Sequence, residues 1–372
     1  MPVRARLCAT VPASLPPEEG DVPELCGPPG RRLLVRRGDD ALVVQALDDG
    51  FAPVGGPVRV PAPWPRRRGG YAVSPDAGLV VFAGVHAVRA VEPSGATRWE
   101  VRHGCWSGPC QEAHSSYDDY AGRDDHRYPK RGSAGFSADG KTVWAHVSGP
   151  LSTDGPGAQG YEEWLLLDAG DGRVLARADT LSAAEGSFHL PHPADPARMW
   201  LTIGEGQDGS PLRAGRFDGE ELAVDHIDED LALMSVSPSG ARLMTVAHDQ
   251  GALAVRDGRC LLLDGLEWDA CVVPRHPGAE PGNDEVEAFW DWAGGFLDET
   301  TLICSTVESD EEWGEGRHWI VATTGGAGAP ALVEYPVPVG TRGPTALGDG
   351  RWWTLSDAGD ELLVWAREQP GE

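Results

Sequence analysis

Between Gly132 and Arg177 the chain reads GSAGFSADGKTVWAHVSG, then a loose Gly/Pro-containing tract, then EEWLLLDAGDGRVLAR. Four short apolar runs are separated by Ser-Ala-Asp-Gly, by the tract, and by Asp-Ala-Gly-Asp-Gly. Runs of strand length punctuated by tight-turn residues predict four antiparallel β-strands. Such a unit cannot bury both of its faces alone, so it must pack against others of its kind.

Versions of the pattern recur along all 372 residues. Seven first turns mark the register: Pro29-Gly30, Pro75-Asp76, Asp139-Gly140, Ala194-Asp195, Ser239-Gly240, Leu297-Asp298 and Asp349-Gly350. Steps of roughly 50 residues separate them, the spacing of a repeat architecture rather than of two or three ordinary domains. The units run over 22–62, 70–103, 132–180, 185–228, 231–265, 287–338 and 343–368. The last holds only three strand-like runs, while residues 5–11 (RLCATV and its flank) precede the first unit with no partner. Adding that N-terminal strand as the outermost strand of the last unit removes an open edge and ties the termini together. With 49 Gly, 31 Pro and 14 Trp and almost no helix-period stretch, the composition agrees with an all-β chain rich in turns and large aromatic anchors.

The turns SPDAG, SADGK and SPSGA are similar to the first turn of WD40 repeats, LLVWARE to their Trp-containing third strand, and DAGDGRVLAR to a quinoprotein-type turn. The chain thus resembles a seven-bladed β-propeller of the WD40 or quinoprotein-like kind. That resemblance implies an architecture, one domain over 1–372, and leaves function open.

A formal charge of −27 disfavours general nucleic-acid binding, because such a field repels phosphate backbones. It suits a partner with a basic or amide-rich patch, and fits the solvated acidic surface of a protein from a high-GC bacterial proteome. No run approaches the roughly 18 apolar residues of a membrane span. The N-terminal stretch lacks the apolar core of a signal peptide, so the expected location is the cytoplasm. Seven Cys, an odd number, sit mostly alone in strand-like runs, as free thiols would.

In a propeller the turns between first and second and between third and fourth strands lie on one face. The remaining loops lie on the other. The first set is short and generic here, whereas the long segments 103–131, 149–160, 204–211, 267–287 and 308–317 all belong to the second. Long loops on a rigid scaffold are where binding is built, so this face is the expected ligand face. Its candidate contacts are Trp106, Tyr117, Tyr120 and His126 in the first loop, Glu205 and Asp208 in GEGQDGSP, Trp313 in DEEWGEG, and His318 beyond it. The expected role is a monomeric, non-catalytic binding or scaffold module for a protein or small-molecule partner.

The loop HGCWSGPCQEAHSSYDDYAGRDDHRYPKR also holds Cys105, Cys110, His114 and His126. Two thiolates and two imidazoles are a donor set for tetrahedral zinc, although C-x4-C-x3-H-x11-H is not a standard zinc spacing. A loop-closing or redox-active Cys105–Cys110 pair is a second reading of the same residues. Free thiols in a loop packed down by Trp106, Tyr117, Tyr120 and Tyr128 are a third. An alternative function is a metal-dependent lyase or hydrolase of a lactone- or ester-like substrate, which needs several of His146, Glu205, His248, Asp291 and His318 to meet near the axis. No Gly-x-Ser-x-Gly elbow, His-Glu-x-x-His helix or EF-hand loop is present.

Overall fold

The computed structural model describes residues 2–372 apart from 16–18, 109, 111–112, 156–157, 159, 271–272, 274–286, 309–315, 325–327 and 369–372. Its strands follow one another in fours after an initial β1 (Val3–Pro12). The first unit is β2 (Glu24–Cys26), β3 (Arg32–Arg37), β4 (Ala41–Leu47) and β5 (Pro53–Pro61). The second is β6 (Gly69–Val73), β7 (Val80–Gly84), β8 (Ala87–Val91) and β9 (Thr97–Arg102). Next come β10 (Ser133–Phe136), β11 (Thr142–Ser148), β12 (Glu162–Asp168) and β13 (Val174–Asp179). They are followed by β14 (Gly186–Pro191), β15 (Arg198–Gly204), β16 (Leu212–Phe217) and β17 (Leu222–Asp228). The fifth unit is β18 (Leu231–Val236), β19 (Arg242–Ala247), β20 (Ala252–Asp257) and β21 (Leu262–Asp269). Then come β22 (Ala288–Asp298), β23 (Thr301–Glu308), β24 (Arg317–Ala322) and β25 (Ala331–Glu334), and finally β26 (Thr345–Ala346), β27 (Arg351–Leu355) and β28 (Glu361–Arg367).

Local chemistry explains why the first turns recur. In SPDAG the Ser74 hydroxyl accepts the Leu79 N–H at 2.9 Å and donates to Asp76 at 2.6 Å. In SADGK the Ser137 hydroxyl accepts the Thr142 N–H at 3.1 Å, and in SPSGA Ser237 accepts that of Arg242 at 3.1 Å. The fourth residue of each turn is left-handed: Gly140 has φ 72° and Gly240 φ 78°, but Ala77 takes φ 57° at the same place. The inner strands are buried on both faces and therefore read as continuous apolar runs; all of Val80–Gly84 is buried, whereas the outermost β21 is mostly exposed.

Apolar clusters bridge successive units. Val81, Ala83 and Val88 pack with Phe136, Val143 and Leu165 between the second and third. Val11, Leu25 and Leu34 pack with Trp353, Leu362 and Val364, joining the end of the chain to its beginning. The N-terminal strand lies antiparallel on β28, from Ala5↔Arg367 to Pro12↔Glu361, as its missing partner required. It also pairs in parallel with β25 over Val3↔Val333 and Arg4↔Glu334. That contact fuses the last two units, so the strands form five four-stranded sheets and one eight-stranded sheet in the order β22-β23-β24-β25-β1-β28-β27-β26. The seven expected units are thus not seven separate sheets. Nothing in the spacing of apolar residues marks the parallel pairing, which depends on how far β1 overhangs its neighbour.

Candidate functional site

The loop leaving β9 is the most elaborate segment of the long-loop face. It enters through Gly104, where a Cβ would lie 2.1 Å from the Gly149 carbonyl oxygen, and leaves through Gly132, where a Cβ would lie 1.8 Å from that of His146. Both ends run against the neighbouring backbone in a way that only glycine permits. Between them the Trp106 N–H donates to the Val85 carbonyl at 2.9 Å, and the Trp106 ring meets His146 edge-on at 5.4 Å. Tyr120 is fully buried, hydrogen-bonded through its hydroxyl to His86 Nδ1 at 2.9 Å. Short 3-10 turns at Tyr117–Asp119 and Asp124–His126 shape the rest. The first is closed by Asp119, which accepts the Ser115 N–H at 2.7 Å.

This packing brings Cys105, Cys110, His114 and His126 together, with one donor atom from each lying within 4.8 Å of all the others. Cys105 Sγ is 3.2 Å from His126 Nε2, Cys110 Sγ is 3.4 Å from His114 Nε2, and the two Nε2 atoms are 3.1 Å apart. Cys110, His114 and His126 are buried and Cys105 is half-buried. No disulfide joins any of the described cysteines, so Cys105 and Cys110 are not linked as a loop-closing pair. Burial pushes the Cys105 thiol up to about 12. Asp125 holds His126 Nδ1 at 2.7 Å and is itself clamped by Arg123 at 2.7 Å. Tyr120 packs against both imidazoles, with ring centres 4.9 Å from His114 and 5.0 Å from His126.

The remaining candidates divide. Trp106, Tyr120, His126 and His318 are buried, so none of them offers its side chain to a partner; Tyr117 and Glu205 are half-buried and Asp208 is exposed. For Trp106, Tyr120 and His126 the reason is that an aromatic or imidazole in a long loop is as able to staple the loop down as to face outward, whereas His318 lies in β24 and bonds Tyr335. Trp313 lies outside the described residues, as do most of 267–287 and 308–317. The set His146, Glu205, His248, Asp291 and His318 does not meet. His146 bonds Ser187 at 3.0 Å, Glu205 accepts the Ala183 N–H at 2.6 Å, and His248 bonds Ser210 at 2.9 Å. Asp291 accepts from Ser305 at 3.0 Å, and His318 bonds Tyr335 at 2.7 Å. Among the described residues only the Cys/His group could hold an ion.

Two features escaped the sequence. A partly buried relay, in which His146 is fully buried, runs from Glu162 through His146, Ser187 and Ser133 to His189, whose Nε2 accepts the Trp164 indole N–H at 2.9 Å. Burial holds His189 down at about 3, so it is neutral and serves as a structural link between the third and fourth units. Exposed apolar side chains on the long-loop face were the second: Tyr128 is 84% exposed, Leu181 67%, Tyr161 56% and Trp292 47%. Two shallow polar clefts of about 400 Å³ lie on the opposite face instead, between first turns that include Asp76 and Gly140.

No protein-family model matches the chain, and no curated protein sequence matches it. Solved structures do resemble it. The β-propeller domain of Cps50 (Swd1) from Myceliophteria thermophila superposes with a TM-score of 0.56 at 10% identity, over 97% of this chain and 99% of that one. The Pan2 WD40 domain of Neurospora crassa gives 0.53 at 11% identity, over 99% and 97%. The fold is a β-propeller. Hydrazine synthase of Kuenenia stuttgartiensis is similar as well, at 0.52 and 12% identity over 95% and 97%. At these identities the propeller carries the likeness and no shared chemistry is implied.

Proposed function

We propose that this propeller is a non-catalytic protein-interaction module whose contact surface is the long-loop face. The observation that carries the reading is the placement of exposed apolar side chains. Tyr128, Tyr161, Leu181 and Trp292 lie in or beside the loops of that face, whereas Leu7, Val54 and Leu262 lie on outermost strands and Leu261 in a turn of the opposite face. Exposed Tyr and Trp supply large contact area with few rotatable bonds. The −27 charge favours a partner with a basic patch, with binding that weakens as salt rises. Likeness to a WD40 domain agrees with a rigid ring carrying variable loops. The reading also takes the protein to act in the cytoplasm as a monomer.

The test compares capture from lysate by the wild type, by Tyr128→Glu/Tyr161→Glu, and by the rim variant Leu262→Glu. A partner retained by the wild type and the rim variant, lost from the double variant and weakened by salt is the expected result. Equal capture by all three, or equal loss from both variants, refutes the assignment of this face.

A further inference from the structure

We propose that Cys105, Cys110, His114 and His126 bind a structural Zn²⁺ that fastens the 103–131 loop to the propeller. A neutral imidazole nitrogen offers one directional site, either a lone pair or an N–H. Yet His126 Nε2 faces both Cys105 Sγ at 3.2 Å and His114 Nε2 at 3.1 Å, while His114 Nε2 faces Cys110 Sγ at 3.4 Å as well. One proton or lone pair shared between two neighbours serves each of them poorly, whereas a cation among the four atoms is served by all of them.

The dimensions agree. Bonds of about 2.3 Å to sulfur and about 2.05 Å to nitrogen at tetrahedral angles put nitrogen–nitrogen edges near ~3.3 Å and sulfur–nitrogen edges near ~3.5 Å. The corresponding distances here are 3.1 Å, and 3.2 and 3.4 Å, so the group closes on an ion with shifts of a few tenths of an ångström.

The surroundings are those of a metal centre. Asp125 takes the Nδ1 side of His126 at 2.7 Å, which fixes the tautomer whose Nε2 lone pair points into the group. The Ser107 N–H donates to Cys105 Sγ at 3.3 Å, as backbone amides do to ligating thiolates. Two thiolates balance a divalent ion, and Asp125 is balanced by Arg123 at 2.7 Å, so the filled site is neutral within the buried loop. Two sulfur and two imidazole donors in a tetrahedron select zinc over the oxygen-preferring cations. With all four positions taken by protein and His126 fully buried, the site is closed and structural rather than catalytic.

Elemental analysis of untagged full-length protein is expected to return one zinc per chain. That zinc should be lost from Cys105→Ser/Cys110→Ser and kept by Cys8→Ser, whose thiol is exposed elsewhere. Titrating the metal-stripped wild type with Co²⁺ covers the case of a variant that does not fold. It should give thiolate-to-cobalt charge transfer and the intense visible bands of tetrahedral cobalt at one equivalent. Wild type that takes up neither Zn²⁺ nor Co²⁺, zinc undiminished in the double variant, or a Cys105–Cys110 disulfide found by mass analysis of protein kept under reductant overturns the proposal.

Discussion

His318 provides a direct test of how burial governs this fold. It is 3% exposed, its Nδ1 is 2.7 Å from the Tyr335 hydroxyl, and its Nε2 has no hydrogen-bond partner among the described residues. The same hydroxyl accepts the Trp352 indole N–H at 3.0 Å, so its own proton is directed at His318 Nδ1 and the imidazole is held neutral. Burial lowers its pKa from 6.5 to about 4. A depressed folded-state value means that the unfolded chain takes up the proton first. The neutral site therefore contributes its full stability above pH 6.5, and the contribution erodes as pH falls towards 4. Linkage between those two values puts the loss from pH 7 to pH 5 at about 2 kcal/mol for this one side chain. His318→Gln cannot titrate, yet its amide oxygen can still accept from Tyr335. Urea unfolding followed by Trp fluorescence at pH 7 and pH 5 should show the wild type losing about 2 kcal/mol more than the variant. Equal losses, or a larger loss in the variant, would refute the argument that an uncharged His318 is built into the core.

Two further outcomes follow from the turns and the loop ends. Ala77→Gly should raise the unfolding free energy by about 1 kcal/mol, because Ala77 holds a left-handed φ of 57° where the equivalent turns have Gly140 and Gly240. A denaturation midpoint that is unchanged or lower would count against it. Gly132→Ala should destabilise by about 2–3 kcal/mol or more, since the new Cβ would fall 1.8 Å from the His146 carbonyl oxygen and 2.9 Å from the Trp106 ring. Near-wild-type thermal stability with an unaltered Trp106 environment, read by near-ultraviolet circular dichroism, would show that the loop end can move aside.

Much of the architecture was legible in the chain because its signals are local. Ser74, Ser137 and Ser237 each close a turn through bonds to residues no more than five positions away, so the turn is written in five or six letters. Strands buried on both faces appear as unbroken apolar runs, and an unpartnered N-terminal run opposite an incomplete last unit announces its own pairing. The four candidate metal residues were named together as a donor set from their types and their shared loop, but C-x4-C-x3-H-x11-H says nothing of whether the donors meet.

The sequence by itself determined the repeating four-strand unit, the position of its turns and the place of the N-terminal strand. Only the tertiary structure decided which way the loop side chains point. Trp106, Tyr120 and His126 turn inward to anchor the loop while Tyr128 stays exposed, and all four are plausible in either role from composition alone. It also decided that β1 reaches far enough to pair with β25. Further, it showed that His146, Glu205, His248, Asp291 and His318 each take separate partners while two cysteines and two histidines converge within 4.8 Å. The physical reason is one of range. Turn and strand preferences are set by neighbours along the chain, whereas side-chain direction in a loop is set by whatever surface that loop is packed against.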